Sequence, residues 1–292
     1  RLLQMTGNSL YADYMETAIY NALMASLKAD ASQIAKYSPL EGWRHEGEEQ
    51  CGMHINCCNA NGPRAFAMIP QFAYQVQDDC VRVNFYAPSE AELVLPGKKP
   101  VRLKQTTDYP RTDQIEIEVD PAKETAFTIA LRIPAWSKIA VVSVNGQPQD
   151  GVLQGAYLPV NRKWKKGDRI TVKLDLRARL VERNQAQAIV RGPIVLARDS
   201  RFGDGFVDEA SVVVSKDGYV ALTPVKAPGF AWLAFTAPMV LGTDLESNRA
   251  PKQIHFCDFA SAGNTWDKTQ RYRVWLPKTL NVMHSPYRPY NQ

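Results

Sequence analysis

No stretch of this 292-residue chain approaches the roughly 20 apolar residues that a membrane-spanning helix needs, and no membrane span is expected. Cysteine is scarce and odd in number: five residues, where a disulfide scaffold would be shorter and richer, so at least one thiol is free or bound to something. Basic residues exceed acidic ones only as 35 to 30, and they are spread out. The densest run, KWKKGDR at 163–169, reads as a solvated turn. There is no basic face interleaved with stacking aromatics and no known nucleic-acid module, so a nucleic-acid partner is not expected. Internal repeats and low-complexity segments are also lacking. The chain has no initiator methionine and no signal peptide, and it opens in RLLQMTG, which reads like the end of a helix. Residue 1 is therefore not expected to be the natural start, and targeting is not legible.

What is present suffices for a large core: 45% of residues are hydrophobic, and this length makes two domains the prior. Residues 9–28 carry apolar side chains at helical spacing (Tyr11, Met15, Ala18, Ile19, Ala22, Leu23, Leu27), with Asn8 or Ser9 as a cap and TGN as a helix-to-helix turn before it. A second helix is expected from about Pro63, with a break threatened at Pro70. From about residue 80 the period becomes two. CVRVNFY (80–86), QIEIEV (114–119), AFTIALRI (126–133), IAVVSV (139–144) and RITVKLDL (169–176) alternate, separated by turns such as NGQ and KKGD. QAIVRGPIVLARD (187–199) reads as a buried strand interrupted at Gly192-Pro193. Beyond residue 200 only SVVV, GYVAL and RYRVWL read as strand, and the rest reads as loop. The pattern is helices to about residue 79 and β-structure, of sandwich type, from there on.

The chemistry concentrates in CGMHINCCNANGPRAF, residues 51–66. A lone cysteine is usually a core residue, which is the reading for Cys80 and Cys257. Adjacent Cys57 and Cys58 differ: a disulfide between neighbours is strained, and nothing favours a bridge to Cys51. Both thiolates suit one zinc ion, and Cys51, His54, Glu48 and Glu49 are types that complete a ligand set, although the spacing matches no standard zinc finger. The pair also stands just before an expected helix N-terminus. There the dipole lowers a thiol pKa, so a nucleophile is the third reading, compatible with metal.

The segments TGNSLYADYMETAIYNALMA (6–25), YSPLE (37–41) and CCNANGPRAF (57–66) resemble glycoside hydrolase family 127, the β-L-arabinofuranosidase family. QTTDYP (105–110), LRIPAWS (131–137), VNGQ (144–147), RGPIVLARD (191–199) and RYRVWLP (271–277) follow in family order across nearly the whole chain. The resemblance implies a helical (α/α)6 barrel carrying the active site, followed by β-sandwich domains. Residues 1–79 then correspond to the last barrel helices, with the N-terminal barrel segment missing. Residues 80–292 correspond to the sandwich region, long enough for two sandwiches dividing near 180–200.

The resemblance further implies a retaining glycosidase whose nucleophile is a zinc-bound cysteine, here Cys57, with Cys58 as a second zinc ligand and an oligosaccharide or plant cell-wall glycan as substrate. The remaining ligands, in an E-x-C motif, and the acid/base glutamate lie upstream in the family, which makes this chain alone an expected inactive piece. Glu49-Gln50-Cys51 reads E-x-C but sits too close to the pair to match that motif. Tyr37 matches a substrate-contacting tyrosine, with a core aromatic as its other reading; His54 contacts a sugar hydroxyl or is a backbone-bonded loop histidine. The common family pattern C-x-C-C-P-P-N is here INCCNAN, with Ile55 for the leading cysteine and Asn59-Ala60 for the prolines. That difference leaves aceric acid, a branched acidic pectin sugar, as an alternative to arabinofuranose. Two further readings stay open: a non-catalytic carbohydrate-binding or structural sandwich, with Trp136, Trp164, Trp232 or Trp266 stacking on sugars, and a redox or structural metal site. A zinc-thiolate nucleophile is compatible with cytoplasm, and pectin use is also compatible with periplasm.

Overall fold

The computed structural model describes residues 1–47, 57–209, 211–242 and 250–278. It is mostly β-sheet with few helices. Helix α1 (Leu2–Thr6) ends at Gly7, whose left-handed conformation (φ 62°) lets its N–H cap the Leu3 carbonyl. Helix α2 (Ser9–Ala18) starts where the Asn8 side chain accepts the Leu10 N–H at 3.0 Å, and it runs on into a π-helical stretch, Ile19–Leu23. A two-residue strand β1 (Glu41–Gly42) follows. Helix α3 (Cys57–Met68) is already helical six residues before the proline expected to open it. Pro63 stands inside it, and its missing N–H removes only the bond toward the Asn59 carbonyl. Pro70 opens a separate short helix, α4 (Pro70–Ala73), where its lost donor costs nothing.

The described chain divides into two compact units, residues 1–17 with 64–176 and residues 18–63 with 177–292. The first holds β2 (Tyr74–Gln77), β3 (Cys80–Val83), β4 (Ser89–Leu95), β5 (Lys99–Thr107), β6 (Gln114–Pro121), β7 (Thr125–Ile133), β8 (Val141–Val144), β9 (Gln147–Pro148), β10 (Ala156–Trp164) and β11 (Asp168–Lys173). They make a four-stranded sheet in the order β10-β7-β3-β2 and a six-stranded sheet in the order β4-β5-β6-β11-β8-β9. The six-stranded sheet has one buried face, as period-two alternation requires, whereas β7 of the four-stranded sheet is buried on both faces from Ile129 to Ile133. In the six-stranded sheet Ile117, Ile170 and Val144 lie in register across three strands, all at most 2% exposed. Asn145-Gly146, both at positive φ, form the two-residue turn between β8 and β9. In the four-stranded sheet Phe127, Ile129, Leu131 and Trp164 are buried, and the Trp164 indole N–H donates to the Phe127 carbonyl at 3.0 Å.

Helix α2 buries an unexpected stripe. Its buried residues are Ser9, Ala12, Asp13 and Glu16, and not the apolar series that starts at Tyr11 and Met15. The two carboxylates are held by Arg132, itself wholly buried: 2.5 Å to Asp13 and 2.7 Å to Glu16. The Tyr109 hydroxyl donates to Glu16 at 2.9 Å, and the Ala135 N–H donates to Asp13 at 2.9 Å. Burial disfavours the Arg132 cation, but Glu16, Tyr109 and Asp13 outweigh it, so the guanidinium pKa rises.

The second unit contains β12 (Ala178–Arg183), β13 (Ala186–Arg191), β14 (Ile194–Asp199), β15 (Ser211–Val213), β16 (Tyr219–Val220), β17 (Thr223–Pro224), β18 (Ala234–Leu241), β19 (Lys252–Asp258), β20 (Tyr272–Arg273) and β21 (Leu276–Pro277). The main path of its branched sheet is β15-β18-β19-β14-β13-β12-β16, and β1 joins through β20. Its core gathers Ile189, Leu196, Phe235, Met239, Ile254 and Phe256. The expected interruption at Gly192-Pro193 is the β13–β14 hairpin, with Gly192 at φ 57°. Strands β18 and β19, at the middle of this sheet, fall in sequence that reads as loop. AFTAPMVL is a nearly continuous apolar run containing a proline and shows no alternation, as buried strands do.

Candidate functional site

Cys57 and Cys58 are helical, at the first described positions of α3 (Cys57–Met68). Cys57 is exposed and Cys58 half-buried. Burial pushes the Cys58 thiol up, as do a side-chain hydrogen bond with Cys57 and the charge of Cys57; Lys36 acts in the opposite direction. Packing sets this face of α3 against the segment that carries Lys36. Gly62 lies one turn beyond Cys58 on the same helix face, and a Cβ there would stand 2.3 Å from the Ile34 Cδ1 atom. Ile34 itself is buried and pairs with Leu27 across a β-bridge.

Tyr37, half exposed, follows Lys36, and its ring rests on the Gly47 backbone: a Cβ at Gly47 (φ +92°) would lie 2.9 Å from two ring carbons. His54, with Glu48, Glu49 and Cys51, lies outside the described residues. Cys257 is buried, as expected of a core cysteine, and Cys80 is half-buried; burial raises both thiols, and neither has the character of a reactive thiolate. Of the four tryptophans considered for sugar stacking, Trp164 is fully buried, and Trp232 stacks on Tyr20 at 6.1 Å.

Sequence reasoning passed over the segment that braces this region. The Tyr272 hydroxyl donates to the Pro39 carbonyl at 2.6 Å, and the Val274 N–H donates to the Leu40 carbonyl at 2.8 Å. Arg44, 1% exposed, donates to the carbonyls of Ala25 and Phe259, and to that of Ala260 at 3.3 Å. Its guanidinium lies 4.7 Å from the Phe259 ring centre and 5.0 Å from that of Tyr272. Burial lowers the Arg44 pKa and raises the Tyr272 hydroxyl to about 12. The signal available in sequence was WRH itself, an arginine between two ring residues.

The donor set suits zinc in kind: two adjacent thiols on one helix, one of them exposed. Among the described residues no group of three or more His, Cys, Asp or Glu side chains gathers to hold a metal, so the pair is at most half of a four-ligand shell.

Comparison with known families places the chain among the glycoside hydrolases. The GH127 catalytic domain of β-L-arabinofuranosidase matches residues 1–71, and the GH127 middle domain matches residues 80–176. The chain belongs to glycoside hydrolase family 127. A non-reducing end β-L-arabinofuranosidase of Bifidobacterium longum subsp. longum is 26% identical over 222 residues, which are 67% of this chain and 32% of that protein. A crystal structure of a GH127 β-L-arabinofuranosidase from Geobacillus stearothermophilus T6 superposes with a TM-score of 0.78 at 23% identity, over 95% of this chain and 47% of that one. Another solved glycoside hydrolase gives a TM-score of 0.80 at 23% identity, covering 95% and 50%. The chain thus spans about a third of the curated relative and about half of the solved structures.

Proposed function

We infer that the protein carrying this chain is a retaining, β-L-arabinofuranosidase-like glycoside hydrolase acting on plant cell-wall glycans, with Cys57 as its nucleophile. The observation that carries the reading is the exposed Cys57 on α3, beside Cys58, in a chain of family 127. The Cys57 thiolate attacks the anomeric carbon as the glycosidic C–O bond breaks, and a carboxylic acid protonates the departing oxygen. Water, deprotonated by the same carboxylate, then displaces the Cys57 sulfur and releases the sugar with retained configuration. Cys57 and Cys58 are the proposed zinc ligands. The ion, when bound, keeps the sulfurs deprotonated and stabilises negative charge on them. We read this chain alone as inactive because it spans only about half of the solved structures it resembles. Residues 1–79 are read as the end of an (α/α)6 barrel and 80–292 as sandwich; the one-faced, alternating six-stranded sheet supports the second half of that reading.

In the full-length protein, Cys57→Ser should abolish hydrolysis of a β-L-arabinofuranoside, and an arabinofuranose-configured epoxide should add its mass to Cys57. Cys58→Ser should lower the zinc content measured by elemental analysis. Undiminished turnover by Cys57→Ser would sink the assignment. Cleavage of an aceric acid glycoside, with no action on arabinofuranosides, would move the substrate to that sugar.

A further inference from the structure

The segment around Trp43 is held from beneath on several sides. Strand β1 pairs with β20, Arg44 is buried among three carbonyls and two rings, and Lys36 N–H donates to the Glu46 carbonyl at 2.8 Å. On either side of buried Arg44, Trp43 is partly exposed and His45 exposed. Their rings lie 5.6 Å apart at 36°, and the Arg271 guanidinium stands 4.6 Å from the Trp43 ring centre. Arg271 is fixed in turn, because its backbone exchanges hydrogen bonds with Ser200. The Gly47 N–H donates to His45 Nδ1 at 3.0 Å, which leaves the proton of the neutral ring on Nε2 as a hydrogen-bond donor.

Partly exposed aromatic surface with fixed N–H donors at its edge is the composition of a small-molecule site that takes a ring with an apolar face and hydroxyl acceptors. Its location ties it to the thiol pair. The Lys36 N–H is bonded to Glu46, and nearby Ile34 packs where Gly62, one turn along α3 from Cys58, lacks a side chain. We propose that Trp43 and His45, with Arg271 behind them, form a sugar-stacking ledge that binds a glycan residue adjoining the one cleaved. The proposal rests on the glycosidase reading for which bond is broken, but sugar binding can be read without turnover.

The test uses the full-length protein with Cys57→Ser, and titration calorimetry with arabinose-containing oligosaccharides and with a single-sugar arabinofuranoside. Adding Trp43→Ala should weaken oligosaccharide binding about tenfold or more, and single-sugar binding less than threefold. Trp43→Phe, which keeps a ring, should stay within about threefold of the parent. Should Trp43→Ala fail to fold, exposed His45→Ala carries the test and should weaken the oligosaccharide about threefold or more. Equal oligosaccharide affinity in these variants overturns the ledge, as does an absence of glycan binding altogether. If Cys57→Ser still turns substrate over, the nucleophile assignment falls. The ledge is then judged by whether Trp43→Ala raises KM for oligosaccharides more than it lowers kcat, and it is overturned if kcat alone changes.

Discussion

Gly62 lacks a side chain where α3 meets Ile34, and the consequence can be measured. An alanine there gains up to about 1 kcal/mol of helix propensity but drives its methyl into Ile34 Cδ1, an overlap whose relief costs about 1–3 kcal/mol. Gly62→Ala should therefore destabilise the protein by about 1 kcal/mol, and in an Ile34→Val background it should become neutral or stabilising. Denaturant unfolding of the two single variants and the double variant checks this; equal effects in both backgrounds would show that the contact is not tight. Residue-scale chemistry was legible where it is local. Adjacent cysteines beside a helix start are visible in the sequence, and thiol chemistry alone suits them to zinc. Buried Asp13 and Glu16 were not legible, because their burial depends on Arg132, more than a hundred residues away.

At the scale of elements, that same trio fastens α2 to β7. Arg132→Met removes the cation and leaves two buried carboxylates with only the Tyr109 hydroxyl and the Ala135 N–H as donors, so a loss of about 3–5 kcal/mol is expected from chemical denaturation. A triple change to apolar residues of similar volume should recover much of it, since the desolvation cost then disappears as well. A second element-level device sits at the start of β11. Burial alone would raise the Asp168 pKa, but the Lys165 N–H, the Asn145 amide and Arg162 overcome it and hold the carboxyl below its ordinary value. A carboxylate with a lowered folded pKa stabilises above its unfolded pKa of about 3.9, and that contribution is lost as pH falls through the folded value. Asp168→Asn should cost about 1–3 kcal/mol at pH 7 and progressively less below about pH 4. A constant difference across that range would contradict the linkage. Both devices use long-range partners, whereas the strands themselves were readable when they alternated. β6, β7 and β11 stand close to their expected bounds. β4, β5 and β10 escaped notice because prolines and charged outward residues dilute their pattern, and β18 because burial removes alternation altogether.

For the molecule as a whole, the change of period near residue 80 was legible, but the way the chain is shared between units was not. Sequence order suggests a helical half followed by a β half. Contacts instead join residues 18–63 to 177–292, and each link spans a long stretch of chain. Asn21 accepts the Val195 N–H at 2.8 Å and donates to the Pro193 carbonyl at 2.8 Å. The Ala29 N–H donates to Asn264 at 2.8 Å, and Arg44 reaches Phe259. A chain ended at Leu176 keeps both sheets of the first unit and their core, including buried Trp164, but it strips residues 18–63 of every one of these partners. Hydrogen exchange should then show β6, β7 and β11 still protected and residues 36–44 exchanging freely. Cys58, half-buried in the whole chain, should become as open to thiol alkylation as Cys57. Protection at 36–44 unchanged by the truncation would mean that this segment is ordered by its own sequence. The anchoring of the thiol pair's surroundings by the distant β20 and Phe259 would then be incidental.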